Sequence, residues 1–115
     1  MSKLRFLALL AALALMFSLP AVASAQTKIV PPHVFVGTAL INGKSVPEGT
    51  EITALINGEV RGSTTMGADG FYQPLYVEGS QGDLVAFRVG LHPADQVFFW
   101  KEGGADMVHL TARGQ

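Results

Sequence analysis

Histidine, serine and carboxylate side chains are where catalysis or metal binding would begin, and this chain spreads them thinly. His33, His92 and His109 lie far apart, with no second histidine at helical spacing and no carboxylate pair beside them to complete a metal site. Ser45, Ser63 and Ser80 sit in or beside stretches rich in turn residues, and none occupies a Gly-x-Ser-x-Gly elbow. Cysteine is absent, which removes thiol catalysis, thiolate zinc sites, disulfides and a lipid-bearing cysteine. The expectation is a protein without catalytic residues and without a cofactor.

Two weaker chemistries remain. Asp69, in Gly67-Ala68-Asp69-Gly70, resembles the start of an acidic calcium loop. A hard cation needs several oxygen ligands, so Asp83, Asp95 and Asp106 would have to gather there with it. The competing role for Asp69 is turn formation. Sugars stack on exposed rings, and Trp100, Phe98 and Tyr76 are the candidate aromatic platform. Successive strand residues face opposite sides, so Phe98 and Trp100 share a face and Phe99 takes the other; if Phe99 is core, Trp100 points outward or ends the strand. The competing role for Trp100 at a strand end is to cap the core.

The elements that must position these groups begin after residue 25. Lys3 and Arg5 precede an apolar run from 6 to 19, and Ala23-Ser24-Ala25 supplies the small residues of a cleavage position, so residues 1–25 read as a secretory signal peptide. Removing it leaves 90 residues with six Lys and Arg against nine Asp and Glu, a net charge of −3. No basic patch survives, which argues against nucleic-acid binding, and no membrane attachment is expected after cleavage. Residues 26–32 read as an N-terminal arm and 33–115 as one small β-domain, secreted or held in the cell envelope.

Thr38-Ala39-Leu40-Ile41-Asn42-Gly43 recurs as Thr53-Ala54-Leu55-Ile56-Asn57-Gly58. Two copies at a spacing of 15 are too few and too close for a repeat architecture. The pair reads as one device used twice: a strand, then an Asn-Gly reversal that tolerates positive φ. The same punctuation divides the chain into seven strands at 34–41, 51–56, 59–65, 71–77, 84–89, 96–100 and 107–112. The expected fold is all-β, a seven-stranded antiparallel Greek-key sandwich.

Alternation places Ile52, Ala54, Ile56, Val85, Phe87 and Val89 in the core, with Phe35, Gly37, Ala39 and Ile41 also inward. Val34, Val36, Leu40 and Leu55 are then left outward, a greasy row either covered by residues 26–32 at a sandwich edge or suited to docking another protein or a second copy. Gln26-Thr27-Lys28-Ile29-Val30, ahead of Pro31-Pro32, is an extended arm of a length that an edge strand can accept.

Gly37-Thr38-Ala39, the run Val46-Pro47-Glu48-Gly49-Thr50-Glu51-Ile52-Thr53-Ala54, then Gly62-Ser63-Thr64-Thr65, Asp69-Gly70-Phe71-Tyr72 and Val77-Glu78-Gly79 together resemble the carboxypeptidase regulatory-like domains. These belong to a wider transthyretin-like, or prealbumin-like, group of Ig-like sandwiches. The resemblance spans most of 32–111 and rests on turn and core positions. It implies an inward Tyr72 and a place among secreted and cell-surface modules. The expected function is protein interaction or a structural role at the cell surface, with carbohydrate binding through exposed rings as the second function. Pro74 marks an edge or a bulge beside Tyr72.

Overall fold

The computed structural model describes residues 29–114. The signal-peptide reading of 1–25 and residues 26–28 of the arm lie outside the described residues. Every regular element described is a strand: β1 (His33–Ile41), β2 (Lys44–Ser45), β3 (Glu51–Ile56), β4 (Glu59–Thr65), β5 (Phe71–Val77), β6 (Leu84–Val89), β7 (His92–Phe99), β8 (Ala105–Met107) and β9 (Leu110–Ala112). They hydrogen-bond in the order β2-β1-β9-β7-β6-β3-β4, with β5 and β8 also on β1.

The protein is therefore all-β, a curled sheet forming a half-barrel. It differs from the seven-stranded antiparallel expectation in two ways. The described residues form nine strands, and β8 and β9 run parallel to β1. Gly90-Leu91 is the cause of one boundary shift. It makes a two-residue reversal with Gly90 at φ 59, so β7 begins at His92 instead of 96. The last expected strand instead divides into β8 and β9 around Val108-His109.

The repeated hexapeptide does the same work in both places. Asn42 (φ 54) and Gly43 (φ 77) join Ile41 to Lys44; Asn57 (φ 52) and Gly58 (φ 78) join Ile56 to Glu59. Positive φ at both central residues is the hairpin turn whose twist matches the flanking strands.

Alternation then fills one interior. Phe35, Ala39, Ile52, Ala54, Ile56, Leu75, Val77, Val85, Phe87, Val89 and Leu110 all project inward and are buried. Each large side chain withdrawn from water contributes about 1.5–3 kcal/mol. In β5, Tyr72 faces in, yet so do Leu75 and Val77. The register against β1 jumps between Phe35↔Leu75 and Gly37↔Tyr72, so Gln73-Pro74 is a bulge that reverses the parity.

Two glycines let strands approach where the sheet curls. A Cβ on Gly37 would sit 1.9 Å from the Val108 carbonyl oxygen, and one on Gly62 would sit 2.3 Å from that of Tyr76. The second contact draws β4 onto β5, and the Glu78 N–H donates to Arg61 O at 3.2 Å beside it.

Candidate functional site

The aromatic platform does not assemble. Trp100 is only 1% exposed, and its Nε1–H donates to Val77 O at 2.8 Å, so the ring is used to close the end of the core. Phe98 shares its face, as alternation requires, but that face is the interior: its ring meets Phe35 edge-on at 5.8 Å. Phe99, on the other parity, is 65% exposed. Of the three candidate rings only Tyr76 is open to solvent. Asp95 held the clue, because a charged residue on the parity of Val97 and Phe99 marks that side as outer.

The four docking candidates also separate. Val34, Val36 and Leu40 are half-buried on the outer side of β1, where Val34 lies opposite Tyr76 and Ala105, and Val36 opposite Met107. Leu55 lies on β3, beyond β9, β7 and β6, and is only 6% exposed. What surrounds Leu55 is more informative than Leu55 itself. Val60 and Ala86 are its cross-strand neighbours, and Ala86 in turn pairs with Val97; one step along, Leu84 pairs with Phe99. Cross-strand neighbours share a face, so Val60 on β4, Leu84 and Ala86 on β6, and Val97 and Phe99 on β7 form exposed apolar surface on either side of the buried Leu55.

The acidic residues each serve a separate local bond. Asp69 Oδ1 accepts the Phe71 N–H at 3.1 Å, which is the turn-forming role. Asp83 Oδ2 accepts the Ser80 N–H at 2.9 Å, and Asp95 Oδ2 accepts from the Thr111 hydroxyl at 3.3 Å. Among the described residues no three histidine or carboxylate side chains converge in a metal-binding group.

The histidines divide by environment. His33 is fully buried and stacks on Phe35 with ring centroids 4.1 Å apart. Its Nδ1 accepts the Lys101 N–H at 2.9 Å, and its Nε2–H donates to Asp106 Oδ2 at 2.7 Å. Those partners set the tautomer and tie the start of β1 to the loop between β7 and β8. His109 Nδ1 lies 2.7 Å from Thr38 Oγ1 on the surface, and His92 lies beside Gly114 at the opposite end of β7 from Trp100.

Two polar side chains matter to the site: Tyr72, which faces inward as expected, and Gln96, which the sequence reading passed over. Tyr72 donates its hydroxyl to Val108 O at 2.8 Å, and burial pushes its ionisation well above the ordinary phenol value. Gln96 spans from β7 to β9: Thr111 N–H donates to its Oε1 and its Nε2 donates to Thr111 Oγ1, both at 2.8 Å. A backbone ladder would ordinarily make that link. Gln96 carries no short-range signal for it, because the partner is fifteen residues away.

No protein-family model matches the chain. No curated protein matches it in sequence.

Proposed function

We propose that this is a secreted, noncatalytic β-module of the cell envelope that works by binding other proteins. The observation that carries the reading is the exposed apolar surface of Val60, Leu84, Ala86, Val97 and Phe99, aligned in register across β4, β3, β6 and β7. Contiguous apolar surface of this kind marks interaction sites, whereas scattered single residues do not. Export follows from the basic, apolar and small-residue order of 1–25.

On this reading the domain is a relative of the carboxypeptidase regulatory-like and transthyretin-like Greek-key sandwiches. Support comes from the Pro47 to Gly49 turn, where Thr50 bonds back to Pro47 O, from the Asp69-Gly70 reversal and from the inward Tyr72. The short β2 and the parallel pairing of β8 and β9 with β1 are departures from that pattern.

Carbohydrate binding stands second, because Tyr76 alone of its three rings is accessible. The test is retention of envelope proteins by the full exported chain against its Leu84→Asp/Phe99→Asp variant. Loss of specific partners from the variant supports the reading; identical retention removes it. Glycan-array binding abolished by Tyr76→Ala would move the assignment to carbohydrate.

A further inference from the structure

Among the described residues the half-barrel leaves a seam open between β7 and β8. β7 pairs with β9 through Ala94↔Ala112, and the next step is bridged only by the Gln96 side chain. Beyond it, β8 pairs with β1 and not with β7.

Both rims of the seam carry backbone groups directed into it. Trp100 makes its bonds towards β6, its N–H to Asp83 O at 2.7 Å and its carbonyl to the Gly82 N–H at 3.3 Å. Alternation along an antiparallel strand then turns the N–H and C=O of Val97 and Phe99 away from β6. On the other rim, Val34 N–H donates to Gly104 O at 2.8 Å and Val108 N–H to Val36 O at 2.7 Å. Residues 104, 106 and 108 therefore face β1, leaving Ala105 and Met107 facing the seam. All four rim residues expose their side chains, Val97 at 53% and Met107 at 63%.

We infer that this seam accepts a β-strand, and that the strand is the arm Gln26–Val30 of a second copy of the chain. The inference rests on the exported-module reading, since it takes cleavage after Ala25 to free the arm. The location of the chain end points to the arm. Gly103 N–H donates to Pro31 O at 3.2 Å, so the chain meets the domain at the loop that closes one end of the seam. Its direction points to a second copy: Ile29 is 92% exposed, and Pro31-Pro32 holds the backbone extended, away from its own domain.

The chemistry fits. Five extended residues span about 17 Å, more than the roughly 10 Å of each three-residue rim. Alternation allows Thr27 and Ile29 to face the interior beside Phe98 while Lys28 and Val30 face solvent. The arm carries no carboxylate, and the exposed Asp95 supplies the opposite charge for Lys28 on the outer face. Main-chain bonds to both rims give affinity, as in other additions of a strand to a sheet edge.

The test uses the absence of native cysteine. A full chain with Lys28→Cys and a full chain with Met107→Cys are exported together, then resolved without reductant. The expected result is a mixed disulfide dimer in excess of either homodimer. Val97→Pro, which removes an N–H aimed into the seam and spares the β6 ladder, is expected to lower its yield roughly tenfold, about 1.4 kcal/mol of pairing. Emission from buried Trp100 reports whether that variant keeps its fold; if it does not, Phe99→Lys on the same rim replaces it.

Mixed dimers no more abundant than homodimers overturn the inference. So does an internal disulfide in a single chain carrying both cysteines, because the arm then fills its own seam. If cross-linking fails while Leu84 and Phe99 still govern retention of envelope proteins, the seam assignment falls alone. If both fail, the interaction reading falls with it.

Discussion

Two seams of one curled sheet are treated in opposite ways. Between β4 and β5 the strands meet backbone to backbone: Gly62 has no side chain to hold them apart, and Glu78 N–H reaches Arg61 O. Between β7 and the β8–β9 edge a side chain, Gln96, stands in for the backbone, and the strands then part. Removing a side chain closes one seam, and using one as a spacer opens the other. The closed seam is about stability, whereas the open one leaves apolar side chains exposed and backbone groups without a strand partner among the described residues.

The largest expected effect breaks the closed side. A methyl group on Gly62 would run into the Tyr76 carbonyl oxygen, which cannot swing aside as a side-chain tip can. Gly62→Ala should cost about 3 kcal/mol, read as a lower denaturation midpoint at unchanged slope. A loss under about 1 kcal/mol would mean that the strands separate easily there, and the contrast between the seams would vanish.

A smaller effect tests the side-chain bridge. Gln96→Leu keeps most of the volume but leaves the Thr111 N–H without the acceptor it has now, at a cost of about 1.5 kcal/mol. Hydrogen exchange at Thr111 should quicken in the same variant. An unchanged exchange rate would show that β7 and β9 pair through their backbones after all.

How much of this was legible follows the range of each determinant. Both Asn-Gly hairpins, the boundaries of β3 to β6 and the inward parity of Ile52, Ala54, Ile56, Val85, Phe87 and Val89 depend on neighbours within a few residues, and all six are buried. The Val97-Phe98-Phe99-Trp100 run is apolar on both parities, so alternation alone permits either face, and only Asp95 and Gln96 upstream distinguish them. The parallel pairing of β8 and β9 with β1 joins segments about seventy residues apart, as does the His33–Asp106 bond, and no local pattern encodes either. The site was accordingly less legible than the fold: the rings proposed for a ligand are largely spent in packing, and the apolar surface falls mainly on residues to which the alternation gave no fixed face.

Tyr72 gives a third measurement, with a defined pH window. Its hydroxyl bond to Val108 O is worth about 1 kcal/mol, the expected loss in Tyr72→Phe at neutral pH. Below the ordinary phenol value of 10.0 both folded and unfolded chains keep the proton, so this residue adds no slope. Above it the unfolded chain ionises first, so folded stability falls as pH rises, by up to about 1.4 kcal/mol per pH unit. Tyr72→Phe should remove that part of the alkaline slope, and equal slopes in both proteins would place the hydroxyl in solvent.

The smallest effect belongs to the open rim, and its smallness is the point. Phe99→Ser removes a large ring from a position that is mostly solvent-exposed in the isolated domain, so the change in stability should stay within about 0.5 kcal/mol. A residue of that size and exposure gains little from folding, and burial against a partner is where its area can be recovered. Denaturation of the dilute variant measures the first quantity and its concentration dependence the second. A loss above about 1.5 kcal/mol in dilute solution would show that Phe99 already packs within its own chain, and the rim would then be part of the core that the closed seam protects.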